Sequence, residues 1–217
     1  MIITLIGMSG VGKSYWSSRL EKEAGFKRIC CDDLIGEALE KKLVKLGVKP
    51  DLNSIAKWRG LPYEEKYQAN ERLQIMNEQE VMEAVCEEIE RMESEDIVVD
   101  TSGSMVYIDP MVITRLKNHS LMVYIVANEE QVTELYNDEV IFRRPLVWGA
   151  AYKQNQNENS TEAMRRCFAD LIKWRASQYE RWADISIPYN QLRNETLNTE
   201  QFLALLSESK TKELSNN

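Results

Sequence analysis

Apolar residues along this chain fall into two alternating kinds of run, and the alternation sets the fold class. Short stretches with apolar residues occur at residues 2–6, 26–31, 96–101, 121–126 and 184–187. Each is too short for a helix and suits a buried strand. Between them apolar residues recur every three or four positions, predicting helices over 14–24, 34–46, 62–92, 110–117, 129–137, 161–182 and 199–206. Leu73, Met76, Val81, Val85 and Ile89 trace one such stripe. Gly25, Gly47 and Pro50 supply helix stops. Strand–helix alternation predicts an α/β fold: a three-layer α/β/α sandwich around a five-stranded parallel sheet. The run Lys153-Gln154-Asn155-Gln156-Asn157-Glu158-Asn159 has little to bury and is expected to be a mobile loop. Residues 207–217 are polar and expected to fray.

Composition narrows the picture by exclusion. The 217 residues carry a formal net charge of -8, which leaves no basic surplus to displace counterions from nucleic acid. Cys30, Cys31, Cys86 and Cys167 form no C-x-x-C pair, so reduced thiols and a cytoplasmic location are expected. Glycines interrupt the apolar start after a few residues, which marks a strand rather than a signal peptide. No apolar run reaches membrane-spanning length. Neither nucleic acid nor membrane is an expected partner, and a monomer or homodimer is expected.

The strongest chemical signal follows the first strand. Gly7-Met8-Ser9-Gly10-Val11-Gly12-Lys13-Ser14 reads G-x-x-x-x-G-K-S, a phosphate-binding loop between a strand and a helix. Its glycines let consecutive N–H groups turn inward as a nest for phosphate oxygens, and the next helix adds its positive end. Gly7, Ser9, Gly10, Val11, Gly12, Lys13, Ser14 and Tyr15 are the candidate nucleotide contacts. Lys13 is placed for the β- and γ-phosphates and the Ser14 hydroxyl for Mg²⁺.

In such sheets ligands sit beyond the carboxyl ends of the strands, where Asp32-Asp33, Asp100 and Ser102-Gly103-Ser104 also fall. An acid there holds an acceptor hydroxyl or reaches a metal, or else caps a helix; of the pair, Asp32 is favoured for the site. Asp100 after Ile97-Val98-Val99 has the placement of a Mg²⁺-binding acid, with a turn-starting Asp as the alternative. Arg143, Arg144 and Arg175 are the candidate cations for developing phosphoryl charge or an anionic acceptor. Trp148 either covers a base or packs at the foot of a lid. His119 is expected to be exposed in a loop and not a ligand, Cys30 and Cys31 to be small buried side chains, and Glu78 to Glu95 to be the solvated face of a helix.

The order of these motifs resembles the shikimate kinase-like branch of small P-loop kinases. The resemblance rests on the loop at 7–14, D-D-L-I from Asp32, V-V-D-T-S-G-S at 98–104, R-R-P-L at 143–146 and R-A-S-Q-Y-E-R-W-A-D from Arg175 to Asp184. It implies one kinase domain over 1–217, with a helical substrate-binding region over about 33–95 and a mobile lid over about 143–160. It also implies ATP and Mg²⁺ as cofactors. Asp32 would contact the acceptor hydroxyl, Arg144 would act from the lid, and Arg175 would grip a carboxylate, beside Ser102 and Gly103. Three positions depart from the family pattern. Cys30 stands where the family has the first acid of D-x-D, so Asp100 takes over the metal role. Ser102-Gly103-Ser104 replaces G-G-G. The family's F-R-x-x-E aligns with Met76 to Glu80, keeping the acid and losing the arginine, for which Arg59 and Arg72 are the candidate substitutes.

The resulting expectation is ATP-dependent phosphoryl transfer to a hydroxyl of a small anionic metabolite. A nucleoside or nucleotide kinase, with Tyr63, Tyr67 or Tyr107 stacking a base, is one alternative. A nucleotide-binding protein without transferase activity is the other.

Overall fold

A computed structural model of the chain describes residues 1–49, 52–92, 94–137, 141, 146–193 and 197–215. Strands β1 (Ile2–Ile6), β2 (Lys27–Cys30), β3 (Ile97–Asp100), β4 (Leu121–Val126) and β5 (Ile185–Pro188) form one parallel sheet in the order β2-β3-β1-β4-β5. Ile97, Val98 and Val99 are wholly buried, as are Met122, Val123 and Ile125, because helices cover both faces. The chain winds outward to β2, returns through β3, and then continues on the other side of β1. That reversal beside β1 opens a crevice at the carboxyl ends of the strands. The pairings Leu5 with Asp100 and Cys30 with Asp100 bring those ends level.

The covering helices are α1 (Lys13–Ala24), α2 (Cys31–Lys45), α3 (Leu52–Arg59), α4 (Tyr67–Arg91), α5 (Pro110–His119), α6 (Glu129–Leu135), α7 (Ser160–Trp182), α8 (Tyr189–Leu192) and α9 (Thr199–Ser215). Their ends carry the expected chemistry. Asp109 caps α5 by accepting from Met111 N at 2.8 Å, with Pro110 at the first helical position. Asn159 and Glu162 form a reciprocal capping box that starts α7. No helix among the described residues is long and apolar enough to cross a membrane.

Helix α9 closes the fold by stacking Phe202 on Trp16 of α1, ring centroids 4.5 Å apart. Both rings are almost fully buried. Phe202→Ala is expected to destabilise the protein by about 3–5 kcal/mol, read as an unfolding midpoint in urea. An unchanged midpoint would contradict this docking.

Several details differ from the sequence expectation. Helix α2 starts at Cys31, so Asp32 and Asp33 lie in its first turn, where acids favour the positive helix end, and not at the close of the strand. Residues 62–66 form turns instead of helix, closed by Glu64 N to Leu61 O at 2.8 Å and Tyr67 N to Glu64 O at 3.0 Å. Helix α3 has no counterpart among the expected elements. Helix α9 runs on to Ser215, past the expected fraying point. The polar run 153–159 is a bonded turn: Gln154 Nε2 donates to Glu158 O at 2.6 Å, and Arg166 holds the Glu158 carboxylate at 2.8 Å. His119 ends α5, with Nε2 3.6 Å from Glu90, instead of lying in a loop. Cys31 is fully buried while Cys30 is only partly so.

Candidate active site

The loop between β1 and α1 takes its shape from its glycines. Gly10 and Gly12 have φ of 86° and 91°, in the left-handed region that residues with a Cβ avoid. Gly7 has φ of 140°, and a Cβ there would lie 2.8 Å from the Ile125 carbonyl oxygen. Gly12 serves as the N-cap of α1 without a side chain, and the first turn of that helix carries no acid. Among the described residues no side chain caps this helix end, an arrangement that suits an external anion.

Lys13 folds back over this loop. Its buried Nζ donates to Gly7 O at 2.9 Å and Met8 O at 3.0 Å. Burial lowers its pKa, opposed by the nearby charges of Asp100 and Asp32. Ser14 is exposed beside it. The loop also walls a cavity of about 350 Å³, which continues past Tyr15 to Tyr189 and Arg193 of the α8 region. Gln131 of α6 donates to Gly10 O at 3.0 Å and so links the helix after β4 to the loop.

Asp100 closes β3 with its side chain 3% exposed. Its Oδ2 accepts from Ser17 Oγ of α1 and from Arg28 Nη2 of β2, both at 3.1 Å. Asp32 reaches solvent at the cleft, yet the surrounding protein withdraws enough water to raise its carboxyl above the usual aspartate range. Lys13 opposes that rise, and Asp100 adds to it. Asp33 is engaged locally with Cys30. Of the two adjacent acids, Asp32 is thus the one that faces the loop. Oxygen donors flank the loop, from Ser14, Asp32 and Asp100, and such a set suits a small hard cation such as Mg²⁺.

Across the cleft sits a second polar cluster. The Ser102-Gly103-Ser104 turn lies between the loop and Arg175: a Cβ on Gly103 would be 3.6 Å from Ser9 N and 4.0 Å from Arg175 Nη1. Tyr179 donates to Gly103 O at 2.5 Å, which holds the turn in place. Arg175 is buried, donates to Val147 O at 2.7 Å, and lies over the Tyr107 ring at 5.3 Å. Val147 is anchored in turn through its neighbours, since Glu71 accepts from Trp148 N at 2.6 Å and Gly149 N at 3.1 Å.

Two further members complete this cluster, one left in the sequence as one of two candidates and one misread there. Arg59, at the end of α3, is only 1% exposed. Its Nη2 bonds Gln74, while Nε and Nη1 find no hydrogen-bond partner among the described residues. Burial pushes its pKa down to about 10, and the charge of Arg175 adds to that fall. The second is Glu78, also 1% exposed, which accepts from Ser102 and, at 2.6 Å, from Ser104. Desolvation raises its carboxyl. It does not belong to a solvated face, and it is the acid of the site where the motif alignment pointed to Glu80. Glu80 makes a surface pair with Lys42 at 2.6 Å. The spacing held the signal: Glu78 continues the buried stripe of Met82, Val85 and Ile89.

The other residues expected at the site resolve simply. Trp148 is buried and packs on Phe168 and Tyr152, so it forms the foot of the segment and does not cover a base. Tyr67 is committed to Glu71, and Tyr107 lies under Arg175 and against Trp174. Arg143 and Arg144 lie outside the described residues. Ser9, Gly103 and Arg175 lie close together, and Lys13 lies within the fields of Asp32, Asp100 and Arg175.

No protein-family model matches this chain, and no curated protein sequence matches it. Among solved structures, the shikimate kinase from Aquifex aeolicus vf5 aligns with a TM-score of 0.55 and 19% identity over 99% of each chain. The shikimate kinase from Bacteroides thetaiotaomicron gives 0.52 and 17%, over 100% of this chain and 99% of its own. That from Acinetobacter baumannii, solved in complex with shikimate, gives 0.50 and 19%, over 100% of this chain and 94% of its own. At these identities the likeness speaks for architecture: the chain has a shikimate kinase-like P-loop fold.

Proposed function

We propose that this protein is an ATP- and Mg²⁺-dependent kinase that phosphorylates a hydroxyl of a small carboxylated metabolite. The observation that carries this reading is the pair of buried, mutually repelling guanidinium groups, Arg59 and Arg175, the latter beside the Gly103 turn that adjoins the phosphate loop. A buried donor without a partner costs about 1–3 kcal/mol. An acceptor carboxylate would satisfy Arg59 and offset the repulsion between the two cations.

In this reading Gly7 to Tyr15 cradle the nucleotide phosphates, with Lys13 countering charge on the transferred group. Ser14 and Asp100 would hold Mg²⁺, which would supply positive charge to offset that of the nucleotide phosphates. Asp32 orients the acceptor hydroxyl and takes its proton, while Arg175 and Arg59 fix the carboxylate. Ser102 and Gly103 form the wall between the two ligands. Arg144 acts from the lid over about 143–160. Catalysis is then mostly alignment and electrostatic compensation. The whole chain acts as one domain, in the cytoplasm.

The raised carboxyl of Asp32 sets a pH signature. Protonation removes the base, so activity is present at high pH and is lost as pH falls through a value above the ordinary aspartate range. Asp32→Asn is expected to lower kcat by about 10²-fold or more and to flatten that acidic limb of the profile. An unchanged limb would assign it to another group.

An ADP-release screen over shikimate, gluconate and common nucleosides tests the function itself. Turnover with a carboxylated polyol and none with nucleosides is the expected result. Nucleoside turnover would transfer the assignment to a nucleoside kinase, and nucleotide binding without turnover on any acceptor would remove the transferase assignment.

A further inference from the structure

The ion pair between Arg28 and Asp100 joins β2 to the end of β3, and it sits where a kinase of this architecture would meet its metal. Asp100 is nearly fully buried, and a triphosphate bound in the loop would bring several negative charges close to it. A buried carboxylate left uncompensated beside such charges is strongly unfavourable. Arg28 changes that balance. Its Nη2 lies 3.1 Å from Asp100 Oδ2, and its Nε donates to Ser17 Oγ at 2.9 Å. Ser17 Oγ lies 3.1 Å from the same Oδ2 and 3.2 Å from Ser14 O. The guanidinium thus fixes the carboxylate and ties it to the helical turn that carries Ser14. It does so from strand β2, outside the phosphate loop, with its side chain 23% exposed.

We infer that Arg28 is a built-in counter-ion for Asp100, which lets the site accept nucleotide phosphates with only a weak dependence on magnesium. The inference rests on the nucleotide site proposed above. In metal-free protein Arg28 neutralises Asp100, so the phosphates meet a balanced pair instead of a bare acid. Without Arg28 that compensation falls to the metal, and the gap between metal-bound and metal-free affinities widens. Arg28 acts here through Asp100 and is a positioning residue.

Calorimetric titration of ATP into the full chain, once with Mg²⁺ and once with EDTA, reads this directly. The wild-type ratio of the two affinities is expected to stay below about 10-fold. In Arg28→Met the ratio is expected to exceed about 100-fold, because metal-free affinity falls while Mg²⁺–ATP affinity changes by less than about threefold. Arg28→Lys keeps the charge and is expected to restore an intermediate ratio; it also serves as the test if the methionine variant does not fold. A ratio unchanged from wild type in the folded variant overturns the inference, even if both affinities fall together as a structural role would make them. No binding by the wild type under either condition would instead overturn the nucleotide site itself.

Discussion

Lys13→Ala is expected to lower the turnover number for phosphoryl transfer by about 10³-fold while leaving the protein folded. The amine is buried within the fields of Asp100 and Asp32, and among the described residues its hydrogen-bond anchors are the Gly7 and Met8 carbonyls. Those carbonyls belong to a loop whose shape comes from glycine backbone, so the loop survives loss of the side chain. Two hydrogen bonds of about 1 kcal/mol each are lost, which lowers Tm by a few degrees in a chain of this size. The effect on rate is larger because the charge acts in a site shielded from water, on negative charge that develops during transfer. Steady-state ADP release and a thermal melt on the same preparation check both parts. A folded variant with wild-type turnover would contradict the assigned role.

Arg59→Met and Arg175→Met are each expected to raise the KM for the acceptor by about 10- to 100-fold, with the KM for ATP unchanged. The two should part company in stability. Arg175 anchors to Val147, and beyond it to the segment held by Glu71, so its replacement leaves a buried carbonyl without its donor and lowers Tm. Arg59 is a buried cation with two nitrogens that have no partner among the described residues, and an apolar side chain of similar length there is expected to raise Tm. A residue that weakens the fold yet is needed for acceptor affinity is the behaviour of a binding group. A lower Tm with unchanged acceptor KM in Arg59→Met would make it a structural arginine.

Legibility in the sequence followed the length and regularity of each signal. The five strands were readable as short apolar runs, and the long helices α4 and α7 because each repeats its periodicity over many residues. The phosphate loop was readable because its geometry demands glycine and lysine at fixed offsets. Helix α3 was hidden by its eight residues and by the Gly47 and Pro50 breaks before it, and with it went the placement of Arg59. The motif alignment left Arg59 and Arg72 as candidates for the missing arginine, and the structure buries Arg59 and leaves Arg72 exposed. Glu78 was obscured by its company, since most acids that follow it along α4 reach solvent. Its position on the apolar stripe was the clue, and an acid there must find partners, which Ser102 and Ser104 provide. Arg28 and Asp100 lie 72 residues apart, and their pairing depends on β2 lying beside β3, a neighbour relation the sequence does not state.

The central claim is that the glycine loop and Lys13 grip a nucleotide's phosphates. Calorimetry of ATP with Mg²⁺ titrated into folded protein tests it most directly. The account predicts saturable one-to-one binding with a Kd below about 1 mM, displaced by ADP and weakened in Lys13→Ala. Absence of any saturable heat with well-folded protein would contradict it.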